Sequence, residues 1–430
     1  MYSEHRIGDA MNSTVAETFS ATDPSAVGMS AKRLERIKAA MQTYVDQRGF
    51  AGISTMLARR GQVVHFEQVG YQDRESGKPL APDTIFRIYS MTKPVICAAL
   101  MILHEEGRFQ LADPVAKYLP AFANLRVLAG GPDDPREEKL ERPITIQHLF
   151  THTAGLTYSF MEETPVGAMY LQGGLLSNTI SPLEKVIAEM ARLPLAYQPG
   201  TRWHYSMSID VLAHLIEVLS ERPLREFLRD RLFQPLGMSD TGFTVSADQQ
   251  YRLSAVYGHP DLATHAFSQI VAAWMAGDNR RRDVENTYPA ADAPHFARGG
   301  SGLFSTASDY MRFAQMLLNR GQLDGTRILG RKTIDLMFRN HLPSKLLPFQ
   351  LGPILFEGYG FGLGSSVVMD VAASAVPGSV GAHGWSGAAK THFWVDPQEE
   401  IVGLFMAQFM ISFEWPEKDF QVLAYAALEQ

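Results

Sequence analysis

The sequence predicts an α+β fold in which both ends of the chain build one antiparallel sheet, flanked by helices, around an inserted and mainly helical lobe. Strand-like runs sit near each end of the chain, at 52–71 and again at 359–408, while the stretch between is dominated by helical periodicity and Pro/Gly loops. Neighbouring runs are joined by short polar turns, as hairpins are, and not by the long crossovers that parallel strands need.

The elements follow in order. A helix is expected from Ser30, an N-cap candidate, with Leu34, Ile37, Met41 and Tyr44 at helical spacing. Gly52–Ala58 and Val63–Tyr71 form a hairpin across Arg60-Gly61-Gln62. The middle carries helical segments at Leu183–Leu193, Ile209–Ser220, Leu224–Leu232 and Ala307–Asn319. Strands return at Tyr359–Met369, Lys390–Val395 and Ile401–Gln408, and an amphipathic helix closes the chain at Glu417–Leu428. The expected division is a flexible arm at 1–25, a sheet domain from 26–93 and 300–430, and a helical domain at 94–299. The cleft between the two domains is the natural substrate site.

Composition narrows the function. A formal charge of −7 with no basic stripe argues against a nucleic-acid partner. The one cysteine, Cys97, lies in an apolar run and reads as a small core residue, with no intramolecular disulfide available. The first 25 residues, with Glu4, His5, Arg6 and Asp9, lack the apolar segment of a signal peptide, and no later stretch is long enough to span a membrane. A cytoplasmic protein is expected, in which the sequon at Asn12 has no meaning.

Ser90-Met91-Thr92-Lys93-Pro94 carries the strongest chemical signal. Pro94 fits only the first turn of a helix, so the apolar helix that follows must begin near Ser90. Ser90 then sits at a helix N-terminus, where negative charge is stabilised, and Lys93 lies one turn along the same face, within reach of Ser90 Oγ. A serine hydroxyl needs such a neighbour to take its proton before it can attack. Tyr205 stands on a turn that leads into a helix beginning around Ser208, placed to point into a cleft. The small residues of Gly381-Ala382-His383-Gly384-Trp385-Ser386-Gly387-Ala388 allow backbone to approach a ligand and offer an oxyanion donor.

Other constellations are weaker. His148 and His152 have metal-ligand spacing on an expected helix but no third ligand nearby, and His104-Glu105-Glu106 lacks a second histidine. Ser386 in Gly384-Trp385-Ser386-Gly387-Ala388 precedes a strand and does not form a nucleophile elbow. Neither a metal nor a cofactor is expected.

Ser90–Lys93, Tyr205-Ser206-Met207 and Trp385-Ser386-Gly387, in that order and spacing, resemble the three active-site motifs of class C β-lactamases and D-alanyl-D-alanine peptidases. Ile144–Leu156, Phe233–Met238 and Gly299–Leu303 are similar to flanking segments of that superfamily. The resemblance implies Ser90 as nucleophile, Lys93 and Tyr205 as proton handlers, and the N–H groups of Ser90 and Ala388 as the oxyanion hole. The departures bear on substrate. Where the lactamases carry Tyr-x-Asn and Lys-Thr-Gly, this chain has Met207 and Trp385, which removes an amide and a cation from substrate recognition. That combination is similar to the family VIII carboxylesterases and implies a neutral, short-chain ester held near Met207, Trp385, Ser386 and Gly387. His383 is the alternative occupant of the cationic position. β-Lactamase, peptidase, amidase or acyltransferase chemistry on the same site, and a non-catalytic binding role on the same fold, are the other readings.

Overall fold

Residues 22–130, 135–162, 164–259, 261–291 and 293–429 are described by the computed structural model. The sequon at Asn12 and most of the expected arm lie outside these residues. From Thr22, whose N–H donates to the Val63 carbonyl at 2.8 Å, the chain is already tied to the sheet.

Helix α1 (Ala31–Gln47) buries Leu34, Ile37 and Met41, the residues its periodicity selects. Ser30 takes the extended N-cap backbone, but its side chain makes no capping hydrogen bond. Strands β1 (Gly52–Arg59) and β2 (Gln62–Asp73) form the expected hairpin. Arg60 and Gly61 both have positive φ, 51° and 77°, which gives the tight turn the twist of its strands. A two-residue strand β3 (Lys78–Pro79) continues the sheet beyond β2.

In the middle, helix α2 (Thr92–Glu105) is buried along twelve consecutive residues, Thr92 to Leu103, so it is a core helix with no solvent face over that length. Cys97 lies within it, free and fully enclosed, and burial pushes its thiol above the ordinary range. Helix α3 (Ser208–Ser220) packs across α2, and helix α4 (Ala307–Leu318) packs on the sheet. Two expected segments are shorter than their periodicity suggests: one helix stops at Met190, and another stops at Leu228 before a π-turn over Arg229–Phe233.

Near the C-terminus, Tyr359–Met369 is not a single strand. It folds back on itself as β4 (Tyr359–Phe361) and β5 (Ser366–Val368). Gly364 turns the chain with φ 97°, and a Cβ there would lie 2.4 Å from Cys97 Sγ, so the reversal presses against α2. The small-residue stretch is partly a strand, β6 (His383–Gly387), paired residue for residue with β7 (Thr391–Asp396). Strand β8 (Ile401–Ala407) and helix α5 (Pro416–Ala426) complete the chain.

The eight strands run in the order β4-β5-β6-β7-β8-β1-β2-β3, antiparallel throughout. Ile53 to Arg59 pair with Ala407 to Ile401, so the two ends of the chain meet in the interior of the sheet. Every residue of β1 is buried. Ile53, Leu57, Trp394 and Phe405 pack under α1 and α5 on one face, while Met56, Phe393 and Leu404 join the helical lobe on the other. Among the described residues no helix is long and apolar enough to cross a membrane.

Phe393 is fully buried and meets the Tyr310 ring edge-on, centroids 5.1 Å apart. Phe393→Ala should cost about 3–5 kcal/mol, read as a lower urea midpoint. Cys97 should be silent to a thiol reagent in the native protein and react only as the chain unfolds; rapid native labelling would contradict the enclosed position.

Candidate active site

Ser90 is not the N-cap of a regular helix. It lies in a 3₁₀ turn (Tyr89–Met91) just ahead of α2, with Pro94 in that helix's first turn. Tyr89 holds a left-handed φ of 44°, unfavourable for a side chain of that size. The surroundings enforce it. Ile88 N–H donates to the Leu303 carbonyl at 3.0 Å, Thr391 Oγ1 donates to the Ile88 carbonyl at 3.2 Å, and Tyr310 Oη donates to the Met91 carbonyl at 2.9 Å. Sheet and helices together therefore fix the serine.

Lys93 is 1% exposed. Its Nζ donates to Ser90 Oγ at 3.0 Å and to the Gly300 carbonyl at 2.6 Å. The ammonium also lies 4.6 Å from the Tyr205 ring centroid and 5.3 Å from that of Tyr158, a cation–π setting on two sides. The Ser-x-x-Lys spacing thus brings together the two groups it suggested.

Tyr205 leaves its turn beside Trp203, Tyr158, His152 and Trp385. Its hydroxyl accepts from Trp385 Nε1 at 3.2 Å. Burial, with Tyr205 and Asp210 nearby, holds the Tyr158 hydroxyl well above the ordinary tyrosine range. Ser90, Tyr205, Trp385, Ser386, Gly387 and Ala388 all line one cavity of about 450 Å³, whose walls are mainly apolar and aromatic. Ser386 Oγ is within 2.8 Å of His392 Nδ1, and the Ala388 carbonyl is held by Ile411 N–H at 2.8 Å.

Two expected substrate contacts are not in this cleft. Met207 is fully buried at the start of α3, its N–H on the Thr157 carbonyl, because the helix directs the side chain into the core. His383 is buried on β6, stacked on Phe338 at 3.5 Å between centroids, with Nδ1 on the Gly381 carbonyl. Burial pushes its imidazole down to about 4, so it is neutral near pH 7 and supplies no charge. Trp385, and not His383, meets Tyr205.

His148 and His152 part company at the end of a short helix. His148 belongs to the capping box of Ile146–Phe150, whereas His152 turns out of it with φ 53° to pack on Tyr205. Among the described residues no three metal-ligating side chains converge.

Sequence reasoning missed a cation. Lys390 lines the cavity, 8% exposed, and donates to Glu417 Oε1 at 2.8 Å across the start of α5, with Nζ 4.3 Å from the Trp415 ring centroid. Burial lowers its affinity for a proton, and Glu417 opposes that. The cleft is therefore not without positive charge, as the loss of Lys-Thr-Gly had implied. Lys390 stands five residues beyond Trp385, but its partner comes from a distant helix and left no local pattern.

A Beta-lactamase family model matches residues 37–427. The chain belongs to the beta-lactamase family. Protein Rv1367c of Mycobacterium tuberculosis is 36% identical over 381 residues, 87% of this chain and 90% of that one. Esterase EstB of Burkholderia gladioli is 29% identical over 387 residues, covering 88% and 91%. Among solved structures, EstCE1, a hydrolase with promiscuous acyltransferase activity, superposes with a TM-score of 0.74 at 26% identity over 93% of this chain and 99% of its own. This beta-lactamase-family chain is an enzyme of the serine hydrolase type.

The buried Lys390–Glu417 pair gives a stability test. Lys390→Met alone leaves a carboxylate enclosed without its counter-charge and should cost about 3–5 kcal/mol. Lys390→Met with Glu417→Leu should recover most of that loss in urea unfolding.

Proposed function

We propose that the chain is a serine carboxylesterase that hydrolyses uncharged esters through an acyl-enzyme on Ser90. The observation that carries the reading is the 3.0 Å contact between Lys93 Nζ and Ser90 Oγ at the wall of a largely apolar cavity. The Lys93–Tyr205 pair holds one proton fewer than ammonium and phenol together, and it takes up the Ser90 proton as Oγ attacks the ester carbonyl. The N–H groups of Ser90 and Ala388 hold the oxyanion, the alcohol departs with a proton returned through Tyr205, and water releases the acid. Trp385, donating to Tyr205 Oη, orients the phenol.

The apolar lining favours a neutral ester. A cavity of about 450 Å³ is larger than a short acyl group fills, which leaves room for a bulky apolar alcohol beside a short acyl chain. The name of Esterase EstB agrees with ester chemistry, and EstCE1, a hydrolase with promiscuous acyltransferase activity, agrees with an acyl-enzyme.

Ser90→Ala should lower kcat/KM on a short p-nitrophenyl ester by at least ~10³-fold and abolish labelling by a phosphonate ester, with the fold intact by circular dichroism. A label that mapped to Ser386, or full activity in Ser90→Ala, would overturn the reading. Lys93→Ala and Tyr205→Phe should each lose several orders of magnitude, and the double variant should be little worse than the poorer single, because the groups act as one unit. The native enzyme should favour its ester over a chromogenic cephalosporin by at least ~100-fold, about 3 kcal/mol.

A further inference from the structure

Behind Lys93 stands a buried carboxylate with no part in the acyl-transfer steps. Asp210, in the first turn of α3, is 2% exposed and does not line the cleft. Its Oδ1 accepts from Gly300 N–H at 3.0 Å, while Oδ2 is enclosed without a hydrogen-bond partner among the described residues. Gly300 in turn offers its carbonyl to Lys93 Nζ at 2.6 Å. One residue thus receives the carboxylate on one arm and the ammonium on the other.

The packing leaves this backbone no freedom. A Cβ on Gly299 would lie 2.3 Å from the Ile209 carbonyl and 2.6 Å from Ala213 Cβ, so the glycine lies directly on α3. A Cβ on Gly300 would lie 2.5 Å from Asp210 Oδ2 and 2.6 Å from Tyr158 Oη. The paired glycines of Gly299-Gly300-Ser301-Gly302 are needed for that approach. The charged and titratable groups around Asp210 are Lys93 from α2, Tyr158 from its turn, and Arg298 from the segment before Gly299. Arg298 faces Glu217 and Arg225 in addition, and its Nη2 donates to the Ser181 carbonyl at 3.0 Å. Burial raises the Asp210 carboxyl, and the Gly300 N–H, Lys93 and Arg298 counter it.

We propose that ionised Asp210 is a positioning residue. It pins Gly299–Gly300 against α3 so that the Gly300 carbonyl aims Lys93 Nζ at Ser90, and its charge acts on Lys93 across that bridge. The proposal rests on the Ser90 acyl-enzyme reading and assigns a group that neither the motifs nor the relatives' names single out. The sign is fixed. A negative charge nearby makes an amine or a phenolate hold a proton more tightly, so its removal loosens that hold.

Asp210→Asn keeps the size and one acceptor for Gly300 N–H but removes the charge. On a p-nitrophenyl ester its acid limb in kcat/KM should move to lower pH by about one unit. In the same assay kcat should fall ~10- to 100-fold, as expected of a disturbed proton transfer, with KM nearly unchanged because Asp210 does not touch substrate. Phosphonate titration counts competent sites, so partial misfolding is separated from slower turnover. Should Asp210→Asn not fold, Asp210→Ser, also neutral and able to accept from Gly300 N–H, is measured for the same limb. An acid limb at the native pH with kcat within threefold would overturn the proposal, as would a change confined to KM. Ser90→Ala in parallel keeps the two readings apart. If it is inactive while Asp210→Asn behaves as native, only the positioning role falls; if it is active, the acyl-enzyme reading falls first.

Discussion

The site depends on keeping a lysine ammonium in the interior. Removing such a group from water is costly unless its donors are met and its charge is balanced. Here the Gly300 carbonyl and Ser90 Oγ take two donors, and the faces of Tyr158 and Tyr205 surround the charge. Much of the neighbouring architecture serves that requirement. The double glycine lets backbone reach the amine, the aromatic cluster excludes water from it, and the Tyr310–Met91 contact holds the turn that carries its serine. A group that must be both desolvated and aimed cannot tolerate a loose shell, which accounts for the density of packing around α2.

The cleft's two walls differ in chemistry. On the helical side, Tyr158, Phe160 and Leu176 present rings and aliphatic groups. On the sheet side, Trp385 offers its indole beside Gly387 and Ala388, and the Lys390–Glu417 pair lies farther along with Trp415. An ion pair enclosed in an apolar wall presents little net charge while keeping ammonium donors available for an uncharged oxygen. With Trp385 at the third motif the cleft still holds a cation, Lys390, partnered with a carboxylate.

Local spacing was readable in the sequence; long-range packing was not. The helix through Leu34, Ile37 and Met41, the Arg60-Gly61 hairpin and the reach of Lys93 to Ser90 each depend on residues a few positions apart, where backbone geometry dictates which side chains share a face. The reading of Tyr359–Met369 as one strand failed because its apolar pattern is silent on the reversal that Gly364 makes against Cys97. Met207 and His383 were assigned by motif position, yet α3 turns one into the core and Phe338 covers the other. Lys390 with Glu417, and Asp210 with Gly300, join residues 27 and 90 positions apart, so only the fold could introduce them.

The pairing of β1 with β8 has a consequence for how the protein is made. The central ladder joins residues 53–59 to 401–407, so the N-terminal hairpin waits for its neighbour until residue 407 has left the ribosome. Over that interval one edge of β1, a strand destined for burial on both faces, is open to other chains. Such wide separation in sequence slows folding and prolongs exposure to aggregation. The helical lobe, being local in sequence, can collapse first and hold α2 in place until the last strand arrives. Yield in a heterologous host should therefore follow chaperone supply and growth temperature more closely than the equilibrium stability of the finished sheet.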